Sequence, residues 1–189
     1  MSKKLPPFQS FLGQFMVAVQ SESGQFFDKS VVLMTHHTQT EGAEGYVINH
    51  PSTLSPKEIF QKRDISFLGP DFHLMRGGPV DIDHGAVLHS DEYRALDTKP
   101  LTNRLGLTET QQALDDIADH IGPKNFLVLI GKAVWAPGQL EEEIMGNMWI
   151  PVPFSFNILF NTADNKKWQE ALATLRIDSN LMTNQSGKA

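Results

Sequence analysis

Four short stretches of the chain are almost uninterrupted in apolar residues: Phe15–Val19, Val31–Met34, Tyr46–Ile48 and Phe126–Ile130. Each is too short for a helix buried on every side, and polar residues or glycine bound each one, so each predicts a β-strand. A strand that alternates polar and apolar residues needs one covered face. A strand that is apolar at every position needs two. The sequence therefore demands a sheet with a packed layer on both sides. With 189 residues, the chain is long enough to bury roughly 70% of its unfolded surface in one domain.

The helical layers announce themselves by their ends. Ser55, Pro56 and Glu58 form a capping box with proline at the first helical position, and Leu54 and Ile59 stand where a hydrophobic staple belongs. This helix is expected to end near Lys62 or Arg63. Thr108 and Gln111 predict the cap of a second helix, with Leu114, Ile117, Ala118 and Ile121 on one face and Gly122-Pro123 as its stop. A third runs from Gln139 to about Gly146, with Leu140, Ile144 and Met148 on one face and Glu141, Glu142 and Glu143 in its first turn. A fourth starts near Asp164 and turns Trp168, Ala171, Leu172 and Leu175 inward.

Two further strands are expected at His73–Met75 and Gly85–His89. Ser21–Gly24, Asp64–Phe72 and the polar stretch Asp91–Arg104 are expected as irregular loops. Trp149–Phe156 reads as an edge strand because it holds Pro151 and Pro153. Gly77-Gly78-Pro79 reads as a turn in which glycine supplies positive φ. These elements amount to an α/β-type domain with no internal repeat. One domain is expected over 1–189, with an ordered core over about 8–178 and a flexible tail at 179–189.

Composition narrows the function classes. The 16 Lys+Arg and 22 Asp+Glu give a formal net charge of −6. They are spread along the chain without a basic stripe, which argues against direct nucleic-acid binding. The chain has no cysteine, which excludes disulfides, thiolate metal sites and cysteine nucleophiles. Met1–Phe8 carries Lys3 and Lys4, but Gln9, Ser10, Gly13 and Gln14 interrupt any signal-peptide core. No run approaches the ~20 apolar residues of a spanning helix. A cytoplasmic chain away from membranes is the expectation.

Few residue patterns point to chemistry. His36 and His37 are adjacent, so in a strand they face opposite ways, and His84 and His89 are split by their odd spacing. No metal centre is expected. The phosphate-binding patterns GxGxxG and GxxxxGK[ST] are absent, so no cofactor is expected either. Ser30, Ser90 and Ser155 lack any nucleophile-elbow context. The segment Gly131–Trp149 is the most unusual: Trp135 precedes a Pro-Gly break and an acidic helix start. Trp135 and Gln139 could line a pocket with Glu142 or Glu143 as acid/base or cation ligand, or Trp135 could cover the core above a solvated helix end. Three glutamates at that helix end disfavour an anionic ligand under either reading.

Several stretches, taken in order, resemble the AlgH/YqgE family of bacterial proteins. They are Gly13–Ala18, Phe27–Val31, Glu41–Pro51, Gly77–Val80, Val87–His89, Trp135–Ile144 with Asn147 and Trp149, Ile158–Phe160 and Trp168. The resemblance spans roughly Leu12 to Asp178. Family members often read Gly-Tyr-Ala-Gly-Trp where this chain has Gly131-Lys132-Ala133-Val134-Trp135, so Lys132 and Val134 are expected to alter the approach to Trp135. Many members carry cysteine where this chain has Thr35. The resemblance implies a single α+β domain, with a mixed sheet partly closed into a small barrel and flanked by helices. It also implies a regulatory role, since some members are described as regulators of transcription. No helix-turn-helix motif is present to carry DNA binding.

Together these readings give a regulatory or accessory protein that binds a small ligand or a protein partner. Asn49, His50, Gly77, Gly78, His89, Trp135, Gln139 and Glu142 are the candidate binding residues, some of them expected in one cleft. The alternative is an enzyme using Glu142 or His89 as acid/base.

Overall fold

Successive residues of the first strands enter different cores. The computed structural model describes residues 8–19, 25–61 and 72–175. In β1 (Phe15–Ala18), Phe15 and Val17 join one apolar cluster while Met16 and Ala18 join another. The strand β2 (Val31–Thr38) divides the same way, Val31 and Leu33 against Val32 and Met34. All eight of these side chains are buried, as strands covered on both faces require.

The other strands are β3 (Gly42–Val47), β4 (Leu74–Arg76), β5 (Val80–Ser90), β6 (Lys99–Thr102), β7 (Leu105–Thr108), β8 (Phe126–Trp135) and β9 (Trp149–Val152). They form one sheet in the order β6-β7-β5-β8-β3-β2-β1-β9. Most pairings are antiparallel. β4 adds to β8 in parallel, in line with the end of β3 that pairs β8 further along. The sheet is mixed and curls into a half-barrel, and the architecture is a single α+β domain. The described helices are α1 (Pro56–Gln61), α2 (Gln112–Ala118), α3 (Gln139–Met145), α4 (Phe156–Phe160) and α5 (Asp164–Ala173). The main core lies between one face of the sheet and α4 and α5, through Ile158, Leu159, Trp168, Ala171 and Leu172. Behind the sheet, α3 covers the β1–β2–β3 half and α2 covers the β5–β8 half.

β8 changes its facing midway. Leu129 points to the main core and Val128 to the α2 side, but beyond Gly131 the odd-numbered Ala133 and Trp135 point to the α3 side. Gly131, at φ +71°, takes up the extra residue as a bulge does. Gly77 and Gly78 press against this kink. Neither has positive φ, contrary to the turn expected there. A Cβ on Gly77 would lie 2.3 Å from the Gly131 carbonyl oxygen, and one on Gly78 would lie 1.9 Å from the Lys132 carbonyl carbon. Close backbone approach is the reason for glycine here.

Other expectations were met or corrected by local physics. The capping box forms: Ser55 N–H donates to the Glu58 carboxylate at 2.6 Å and Glu58 N–H to Ser55 Oγ at 3.3 Å. Thr108 does not cap a helix; it ends β7, and α2 starts after Gln111 without a side-chain cap. Asp91–Arg104 is not wholly irregular, because it contains β6, an edge strand with one apolar residue and so no readable period. Ile121 lies beyond α2 and is exposed. Sequence reading missed α4, which Ser155 caps by accepting from Ile158 N–H at 3.3 Å. Ser21–Gly24, the end of the first helix at Lys62 or Arg63, most of Asp64–Phe72 and the 179–189 tail lie outside the described residues. Among the described residues, no helix is long and apolar enough to cross a membrane.

Candidate functional site

Asn49 and His50 follow β3 and tie it to the entry of β2. Asn49 accepts from Val31 N–H at 2.9 Å and donates to the Lys29 carbonyl at 2.8 Å. His50 Nε2 lies 3.2 Å from the Asp28 carbonyl and 3.3 Å from Ser30 Oγ. A carbonyl can only accept, so this nitrogen carries the proton and cannot serve as a base toward Ser30, which is itself wholly buried. Burial holds His50 below the ordinary imidazole value. Beneath this corner the buried Lys167 of α5 donates to the Ile48 carbonyl at 2.9 Å and pairs with Asp164 at 2.8 Å. Gly77 adjoins it, accepting from Val47 N–H at 2.8 Å.

Trp135 and Gln139 belong to a second group, centred on Glu143. One Glu143 oxygen accepts from both Trp135 Nε1 and Trp149 Nε1 at 2.8 Å, and the other accepts from Gln139 Nε2 at 2.8 Å. Glu142 is exposed on the next position of α3. Glu143, not Glu142, therefore gathers the indoles; Gln139 and Glu143 stand four apart on α3, the spacing at which helical side chains meet. Phe26 and Phe27 bridge the two groups. The Phe26 ring centroid lies 5.9 Å from His50 and 5.0 Å from Phe27, and Phe27 lies 5.4 Å from Trp149 and 6.5 Å from Trp135.

His89 lies apart from both groups, buried in β5. Its Nδ1 reaches the Ser90 carbonyl at 3.0 Å and so donates; its Nε2 accepts from Thr108 Oγ1 at 2.9 Å. Thr108 in turn accepts from Thr98 Oγ1 at 2.8 Å, and Thr98 accepts from Ala95 N–H at 2.8 Å. Every member of this chain is satisfied with a neutral imidazole. Gly106 makes room for the ring, since a Cβ there would stand 2.7 Å from His89 Cε1.

A further group escaped sequence reading. Glu44 pairs across the sheet with Val134, and Val80 with Lys132, so these four share a face with Tyr46. Lys132 bridges Glu44 at 3.1 Å and Asp81 at 3.3 Å. Tyr46 donates to Glu109 at 3.3 Å, and Glu109 also pairs with Lys99. Burial, then the Glu109 carboxylate, push the Tyr46 hydroxyl far above the ordinary tyrosine value, so it stays a donor. β5 skips register between Val80 and Gly85, and the intervening Asp81–His84 is exposed. Val80, Ile82 and Val134 are 42%, 64% and 43% exposed. Lys132 and Val134 lie on the face opposite Trp135, so they do not alter its approach. The available signal was the alternation Glu44/Tyr46 and Lys132/Val134, two charged residues interleaved with apolar ones on strands otherwise read as buried.

Among the described residues, no group of three His, Cys, Asp or Glu side chains is placed to hold a metal ion.

A family model described as AlgH-like matches residues 15–180. The chain is 35% identical to a UPF0301 protein of Thioalkalivibrio sulfidiphilus over 182 residues, covering 95% of this chain and 97% of that protein. It is 34% identical to a UPF0301 protein of Coxiella burnetii over 178 residues, covering 93% and 94%. The solution structure of the AlgH protein from Pseudomonas aeruginosa superposes with a TM-score of 0.77 at 31% identity, covering 100% of both chains. A crystal structure of a protein from Corynebacterium diphtheriae matches with a TM-score of 0.72 at 20% identity, covering 95% of each, a likeness of fold alone.

Proposed function

The chain belongs to the AlgH-like family, and on that footing we propose that it is a regulatory or accessory protein that works by docking a protein partner. The observation that carries this reading is the open face at Val80 and Val134, with exposed Ile82 two residues further along β5. Three β-branched side chains are exposed in this region, beside the Glu44–Lys132–Asp81 pairs. Exposed apolar residues bordered by charge are what interfaces are made of. Lys132 and Val134, two of the departures from the family's usual pattern, both project onto this face, which suits a surface selecting one partner.

The competing reading is an enzyme using His89 or Glu142. His89 is buried with both nitrogens occupied, and Glu142 is an exposed carboxylate on α3. Neither has the setting of an acid/base group facing a substrate. Asn49, His50, Gly77, Gly78, Trp135 and Gln139 serve, in this reading, as the frame that holds the docking face.

A photo-crosslinking residue placed at Ile82 or Val134, in cells producing the protein, tests the proposal. It should yield a discrete protein adduct, and a crosslinker at exposed Ile121 should not. Ile82→Asp, a surface change costing within about 0.5 kcal/mol, should abolish the adduct formed from Val134. Equal labelling at all three positions would overturn the proposal. A thermal shift with a metabolite, lost in His89→Gln or Glu142→Gln, would instead favour the enzyme.

A further inference from the structure

His37 joins three parts of the protein through one buried imidazole. Its side chain is 1% exposed. The Phe11 backbone N–H donates to Nδ1 at 3.0 Å, and Nε2 lies 3.0 Å from a Glu141 oxygen on α3. Ser10 Oγ donates to the His37 carbonyl at 3.1 Å. Phe11 stacks on the ring at 5.3 Å and 12°, and Phe8 meets it at 4.9 Å and 54°. The segment 8–14 thus forms a strap laid over the α3-side core, to which Phe11 contributes.

A backbone N–H can only donate, so Nδ1 must present a lone pair and Nε2 must carry the hydrogen given to Glu141. The Phe11 bond forms only to neutral imidazole of this one tautomer, whereas Ser10 and Gly13 bond backbone carbonyls of β2 whatever its state. We propose that His37 is a proton-sensitive latch: protonation at Nδ1 breaks the backbone bond to Phe11 and loosens the strap while α3 stays attached. The aromatic contacts tolerate either charge state, so the Phe11 bond is the part that reads the proton. The strap itself, Phe8–Gln14, carries no charged residue. On β3, Glu44 lies across the sheet from His36 and shares its face, opposite that of His37; Lys132 of β8 bonds to Glu44 on that same far face. On α3, Glu143 is occupied by Trp135 and Trp149, and Glu142 is exposed.

Amide hydrogen exchange, read residue by residue between pH 8 and pH 5 as protection factors, tests this. That window spans ordinary imidazole titration. Phe11 protection should fall about tenfold or more across it, the size of one lost hydrogen bond, while the Phe15–Ala18 amides keep theirs. His37→Asn offers an acceptor that does not titrate and should make Phe11 protection independent of pH. Unchanged Phe11 protection between pH 8 and pH 5, or a loss of protection that persists in His37→Asn, would overturn the latch.

Discussion

His89 and Glu143 are polar groups whose bonds are met inside the fold, and this holds generally: among the described residues, no buried side-chain nitrogen or oxygen lacks a partner. Such saturation makes the histidines stability elements. Burial is the leading cause that holds both His50 and His89 below the ordinary imidazole value near 6.5. The unfolded chain therefore takes up protons on these residues before the folded chain does. Their contribution is complete above about pH 6.5 and is lost as pH falls from there through the depressed folded values. Denaturant unfolding from pH 8 to pH 5 should show stability declining below about pH 6.5, and His89→Gln should flatten that decline. A parent protein equally stable at pH 5 and pH 8 would contradict this. At this scale the sequence was partly legible. That His36 and His37 face apart followed from strand alternation alone, and they do: His37 is buried while His36 meets exposed Glu41 at 3.1 Å. The choice of Glu143 over Glu142 was not legible, because it depends on where Trp149 arrives from another strand.

At the scale of elements, the prolines of β9 were read correctly as marks of an edge. Val19 N–H bonds to the Met148 carbonyl, and the pairs continue as Val17 with Ile150 and Phe15 with Val152. Pro151, opposite Met16, then turns its nitrogen away from β1. The free edge thus lacks a donor where a neighbouring strand would seek one, a standard guard against edge-to-edge pairing. Pro151→Thr restores that donor and should increase self-association in sedimentation velocity at high protein concentration. A variant as monodisperse as its parent would show that the edge is protected by something else. The capping box of α1 was equally legible because it is written within four residues. β6 and the end of β7 were not: Lys99–Thr102 pairs with β7, and Thr108 is a strand residue that pairs with Val87 of β5, a partner far off in the chain.

Across the whole molecule, the two-sided sheet depends on the kink where Gly77, Gly78 and Gly131 meet. Gly78→Ala would drive a Cβ into the Lys132 backbone, and should cost more than about 4 kcal/mol or prevent folding. Gly138→Ala has no atom within 4 Å of the added carbon and only its φ of +81° to oppose it, so about 1–2 kcal/mol is expected. Unfolding free energies of the two variants compare crowding directly with backbone strain; equal values would mean that the kink can relax. Continuous apolar strands, helix caps and an edge proline determined that this chain builds a sheet covered on both faces, because each of those signals acts between residues a few positions apart. Only the tertiary structure decided that β8 changes face at Gly131, that His89 is sealed in a chain of hydroxyls, and that Glu44, Lys132 and Val134 share an open face. Those outcomes rest on contacts between residues distant in the chain, where the geometry of two strands, and not the period of either, settles which side chains meet.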